Sequence, residues 1–263
     1  METVGAMTKY ETLTTTLSIV AIALSVLIPI VQWVWKKWIM RPIVKYYPVG
    51  EAQLFFNQSG SYIQINGILE SERKAVTIKK MKATITRKSD DRKLNLVWSM
   101  FISPVNQRTY GNYIQTTETA HPIRVEADSI FCAFTEFSDP SDSSGKKIRR
   151  ICTDLIPVIQ RVFKDRSYND ACADYCKSPE YIEAKNSLLS DFLWEIGEYY
   201  VDVTVEYGNK KELIFKYKFF VSEKDSVDLR NNIDESLIAK AKEYYQVPLA
   251  VNSPRVEISD REV

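Results

Sequence analysis

The chain has 263 residues, of which 45% are apolar, and a formal net charge of +1. That length accommodates a membrane anchor with one soluble domain or two small ones. The composition excludes a disordered chain, and the balanced charge excludes whole-chain attraction to nucleic acid.

Abundant Tyr (15) and Phe (11) beside scarce Gly (8) favour pleated, half-buried surfaces. The four cysteines, Cys132, Cys152, Cys172 and Cys176, are too few for a disulfide-stapled secreted domain and read as reduced thiols.

Residues 12–35 carry no charge. About 24 helical residues rise ~36 Å, enough to cross a hydrocarbon core of about 30 Å with some tilt. Pro29 predicts a kink, which membrane helices tolerate. The run is too long for a signal-peptide core, is preceded by Lys9 as its one basic residue, and ends in aromatics rather than small residues. Trp33, Trp35 and Trp38 at one end, with Tyr10 at the other, fit an aromatic belt. Lys36, Lys37, Arg41 and Lys45 follow with no acid among them, so the positive-inside rule places this flank in the cytoplasm. The expected organisation is an extracytoplasmic N-terminus over 1–11, a transmembrane helix over 12–38 and a juxtamembrane linker over 39–48. Trp33, Trp35, Lys36, Lys37, Trp38 and Arg41 are its expected membrane-interface residues.

Period-2 alternation then predicts strands. Ile63, Ile65 and Leu69 share one face after an Asn57–Gly60 turn signal. Val76 and Ile78 fall on even positions but Met81, Ala83 and Ile85 on odd ones, so a bulge is expected near Lys79–Lys80. Leu94, Leu96, Trp98, Met100 and Ile102 share a face of a strand ended by Pro104, and Ile123 and Val125 alternate with charged neighbours. Residues 130–137 are apolar on both faces and suggest a strand covered on both sides.

The β pattern breaks over 145–196. Pro157 fits the first turn of one helix, and Ser178-Pro179-Glu180 opens another, with Tyr181, Ile182, Leu188, Leu189, Phe192, Leu193 and Ile196 on a broad stripe. Strands over 199–207 and 213–221 flank Gly208-Asn209, a tight-hairpin signal. A last helix is expected over 225–245 on Leu229, Ile233, Leu237 and Ala241, and residues 247–263 read as a mobile tail.

Strands first, then helices, a hairpin and a helix argue against a parallel α/β sheet. The fold class expected is an α+β domain over 49–246, mainly an antiparallel β-sandwich with a helical insertion over about 145–196 and a C-terminal helix. The Gly67 strand and the strand around Trp98 resemble those of immunoglobulin-like or arrestin-like sandwiches, though no motif identifies a family.

No residue pattern assigns a catalytic, cofactor-binding or metal site, and no cofactor is expected. His121, the single histidine, precedes Pro122 without nucleophile context and reads as a structural or surface residue. Cys172 and Cys176 share a helical face, but their spacing is not that of a zinc ribbon or finger. The oxygen-rich residues 139–145 lack the EF-hand pattern and read as a solvated loop.

One charge feature stands out. Nine basic residues occur from Arg73 to Lys93, against Glu72, Asp90 and Asp91. On a strand with an apolar inner face they would point to solvent, as edge-protecting charges. Lys79, Lys80 and Lys82 are the candidates for contact with an anionic leaflet or an acidic partner. The functional expectation is a non-catalytic, membrane-tethered cytoplasmic interaction or scaffold module. Its partners would be the bilayer and a protein, with no nucleic acid. The alternative is an enzyme with a pocket between the β-sandwich and the helical insertion.

Overall fold

The computed structural model describes residues 9–109 and 112–261, with side chains at all of these except 9, 11, 103–109 and 112–116. Residues 1–8 of the expected outer N-terminus and residues 262–263 lie outside the described residues.

Helix α1 (Lys9–Val34) continues into a π-helical turn, Trp35–Ile39. Within Thr12–Ile39 the most apolar 18-residue window has a mean hydropathy of 2.3 and none of it is buried, so this is one helix long and apolar enough to cross a membrane. Its hydroxyls satisfy themselves on the helix. Thr14, Thr16 and Ser18 donate to the carbonyls of Tyr10, Thr12 and Thr14, and Ser25 donates to Ile22. These four hydroxyls therefore need no water as donors. Pro29 lies inside the helix, where it removes one backbone donor.

After α1 come β1 (Ile43–Asn57), β2 (Gly60–Glu72), β3 (Val76–Arg87), β4 (Lys93–Thr109), β5 (Asn112–Thr119), β6 (Ile123–Val125) and β7 (Ser129–Ser138). Four helices follow: α2 (Ser143–Asp154), α3 (Ile156–Phe163), α4 (Tyr168–Tyr175) and α5 (Pro179–Asp191). The hairpin β8 (Gly197–Tyr207) and β9 (Lys211–Val221), then α6 (Glu223–Tyr244) and β10 (Arg255–Asp260), complete the chain.

The strands do not form a sandwich. The order β4-β7-β2-β1-β10-β9-β8-β3 closes through a β3–β4 pairing into an eight-stranded antiparallel barrel, with β5 and β6 as extra strands on β4 and β3. A sandwich and a barrel demand the same inward alternation, so the expected strands survive while the architecture changes. Eight strands leave an interior that side chains just fill. Here Ala52, Ile63, Ile65, Leu69, Met81, Ala83, Ala133, Phe137, Val201 and Val203 are at most 1% exposed.

Two closing contacts lie where no strand was expected. Residues 43–48 of the expected linker are the start of β1, paired with β2 from Ile43↔Glu72 to Pro48↔Gly67. Residues 255–260 of the expected mobile tail are β10, which joins β1 to β9 and buries Val256 and Ile258. The segment before β10 is clipped to α6: Asn232 exchanges hydrogen bonds with the Asn252 backbone, and the Lys242–Glu235 pair reaches Pro248 O and Ala250 N.

Other differences are local. β4 continues past Pro104 to Thr109, because Pro104 falls where the β4–β5 ladder skips between Ile102 and Asn106 and no donor is needed. A register irregularity between Trp98 and Met100 turns Met100 outward, 40% exposed. β7 is covered on one face only, leaving Ile130 64% exposed. The bulge on β3 falls between Ile78 and Lys80, as the alternation predicts.

The helices close one end of the barrel. α5 stops at Asp191, so Phe192 and Leu193 leave the expected stripe and, with Trp194, plug the barrel mouth. Trp194 Nε1 donates to Phe55 O at 2.9 Å, Phe192 meets Phe56 edge-on at 5.4 Å, and Tyr199 Oη donates to Leu193 O. α6 starts in a Ser222–Asp225 capping box and buries Leu229, Ile233, Leu237 and Ala241. The opposite end receives α1 after only residues 40–42, and Arg73 Nη1 holds Ile39 O at 3.1 Å.

Candidate functional site

The structure divides the basic run by what each side chain does. Arg87 lies in the barrel mouth, where it pairs bidentately with Asp90 and donates to Leu193 O. That pairing holds the Asp90 carboxyl down at about 2. Arg92 forks onto the carbonyls of Ser190, Asp191 and Phe192, the C-terminal end of α5, where a cation complements the orphan acceptors. Lys88 pairs with Glu198. Arg87, on the inward register of Met81, Ala83 and Ile85, and Arg92 thus tie the barrel to the chain at the end of α5, while Lys88 ties the end of β3 to β8.

Lys79, Lys80 and Lys82 are different. All three are exposed, and among the described residues none lies in an ion pair. β8 runs along one edge of β3. The other edge carries β6 at 76–78 and β4 at 82–86, and residues 79–81 pair with neither. This leaves a notch of about 400 Å³, lined by Lys79, Lys80, Met81, Lys82, Val97, Trp98, Ala120, His121 and Pro122.

The back of the notch is an aromatic stack. Phe101 meets Trp98 at 4.3 Å and His121 at 5.3 Å, both edge-on. Trp98 Nε1 donates to Met100 O. His121 Nδ1 lies 3.1 Å from Thr119 O and donates its proton there. The structure thus brings the three singled-out lysines together with the single histidine. Glu206 stands opposite Lys80 in the β3–β8 register without forming an ion pair.

The expected membrane-interface residues also converge. Lys37 Nζ lies 4.4 Å over the Trp33 ring and the Arg41 guanidinium 4.8 Å over Trp38, while Arg41 Nε donates to Lys37 O. Trp35 and Trp38 are 53% and 60% exposed, and Lys36 extends the same belt.

The remaining sequence candidates have local roles. The Asp139 carboxylate accepts from the backbone and hydroxyls of Ser141 and Ser143, ordering the start of α2. Cys172 and Cys176 lie on α4 and its C-cap, half-buried, with burial raising the Cys176 thiol. Cys152 is buried beside Ser236 O and pushed up to about 11, whereas Cys132 is exposed. Among the described residues no group of three or more His, Cys, Asp or Glu is placed to hold a metal ion.

Two concavities lie against the helices, the second of them where the alternative enzyme reading expects a pocket. A groove of about 570 Å³ runs between α3 and the end of α6, lined by Ile156, Ile159, Phe163 and Tyr244, with Lys164 and Lys240 at its rim. A cleft of about 340 Å³ separates the barrel mouth from α2 and α5. Both arise from residues far apart in the chain, so no local spacing announces them.

No family model matches the chain, and no curated protein matches it by sequence. Among solved structures, a family 123 glycoside hydrolase from Clostridium perfringens aligns with 64% of this chain and 21% of its own, at 8% identity and a TM-score of 0.28. The chain therefore spans about a fifth of that protein, and the likeness carries no argument.

Proposed function

We propose that the chain is a membrane-tethered interaction module that acts by binding rather than by catalysis. α1 crosses the bilayer once, with the N-terminus outside and the barrel in the cytoplasm, where it meets a protein partner. The observation that carries this reading is the junction: a helix uncharged over residues 12–35, with its apolar side chains uncovered, ends at Ile39 and passes within three residues into the first strand of the barrel. Removing such a helix from water is worth roughly 25 cal/mol per Å² of apolar surface, and lipid is the natural cover. The basic flank of Lys36, Lys37 and Arg41 supports the cytoplasmic side for the barrel.

The barrel interior is filled by its own side chains, so ligands meet this domain on its outside. The alternative enzyme reading places a site in the cleft between barrel and helices. Two acids there are already engaged, Asp139 with Ser141 and Ser143 and Asp191 with Lys147, which favours the binding reading.

Topology is tested at Cys132, which is exposed on the barrel wall. A membrane-impermeant maleimide should label it only after cells are permeabilised. Labelling of Cys132 in intact cells would overturn the orientation, and recovery of the full chain in the soluble fraction would overturn the anchor.

A further inference from the structure

We propose that the notch of Lys79, Lys80 and Lys82 binds an extended acidic segment of a protein partner, with one apolar side chain of that segment seated against Trp98 and Pro122. This inference rests on the reading of the chain as a tethered interaction module and names the chemistry of the partner. Several cations around the barrel are committed to carboxylates, as in the Lys45–Glu72, Lys88–Glu198 and Arg261–Asp202 pairs. The three lysines of the notch keep their charge unspent on a strand edge that has lost its neighbour over 79–81.

Spacing selects an extended ligand. Lys80 and Lys82 are two residues apart on the outer face of β3, roughly 6.6 Å along the strand. Alternate side chains of an extended peptide repeat at the same distance, so carboxylates at alternate positions match them. The apolar part of the lining, Val97, Trp98, Ala120 and Pro122, provides a seat for an uncharged side chain between those carboxylates.

Height argues against the lipid surface. The end of the barrel that receives α1 is also where β3 begins, at Val76. Strands tilted about 40° climb roughly 2.5 Å per residue along a barrel axis. Lys80 and Lys82 thus stand roughly 10 and 15 Å beyond Val76. A leaflet potential fades over a Debye length of about 8–10 Å, so an acidic polypeptide meets these lysines where headgroups are screened.

The test uses the full chain in nanodiscs of neutral phosphatidylcholine and a fluorescein-labelled oligoglutamate peptide with a central phenylalanine, followed by anisotropy. The expected result is saturable binding that falls at least tenfold in the triple variant Lys79→Gln, Lys80→Gln, Lys82→Gln. Added salt should weaken it, and Lys164→Gln, on the distant α3 groove, should leave it unchanged. An unaltered thermal midpoint shows that the triple variant is folded. Lysine acetylation footprinting on the same discs should show the three lysines protected by the peptide. Absence of binding, equal binding by the triple variant, or protection produced by phosphatidylserine in the disc without peptide overturns the proposal. None of these outcomes affects Cys132 labelling, so the notch and the tethered-module reading fail separately.

Discussion

Ile258→Ala separates a closed barrel from a sandwich with a loose tail. Ile258 lies on β10, is 6% exposed and stands opposite Phe219, while its neighbour Val256 stands opposite Ala52. Truncating a buried Ile to Ala costs about 2–5 kcal/mol, the removed methyl groups plus the cavity left behind. With a urea slope of about 2–3 kcal/mol/M, a loss of about 3 kcal/mol lowers the midpoint by ~1 M. Glu257→Ala, on the exposed side of the same strand, should stay within about 0.5 kcal/mol of the parent. The assay is urea unfolding of the full chain in detergent, followed by circular dichroism and by tryptophan fluorescence, to which the fully buried Trp194 contributes. An Ile258→Ala midpoint indistinguishable from that of Glu257→Ala would refute the closure of the barrel by β10.

Two further predictions follow from packing and burial. A Cβ on Gly67 would run into the ring of Tyr46, which is 2% exposed and held between Phe215 and Tyr217, so Gly67→Ala should cost about 1–3 kcal/mol. A double-mutant cycle with Tyr46→Leu should recover part of that loss, and strict additivity would show that the two positions do not clash. Stability should fall at alkaline pH, because burial raises the Cys152 thiol from 9.0 to about 11. The native state then holds a proton that the unfolded state has released. That contribution is intact below about pH 9 and is lost as pH rises through about 11. Urea midpoints from pH 7 to 11 should therefore decline less steeply in Cys152→Ser, and an equal decline in both proteins would assign the effect elsewhere.

The elements with strong local signals were legible without any structure. The uncharged run specifies α1 as a helix long and apolar enough to cross a membrane. The face switch at Lys79–Lys80 specifies the bulge, since no unbroken strand can keep both halves on one face. The spacing of Leu229, Ile233, Leu237 and Ala241 specifies α6, which starts at Glu223, two residues before the expected Asp225.

Tertiary structure decided what these elements do together. Alternation states which side chains point inward but not whether the sheet closes, and closure here depends on β10, six residues whose two buried side chains are too few to stand out. It also decided the fate of the basic run. Arg87 and Arg92 find backbone carbonyls about a hundred residues away, beside the nearby Asp90 carboxylate that pairs with Arg87, whereas Lys79, Lys80 and Lys82 fall where two strands part and lie in no ion pair. Sequence states that a charge is present; only the arrangement of distant segments determines whether that charge is already neutralised.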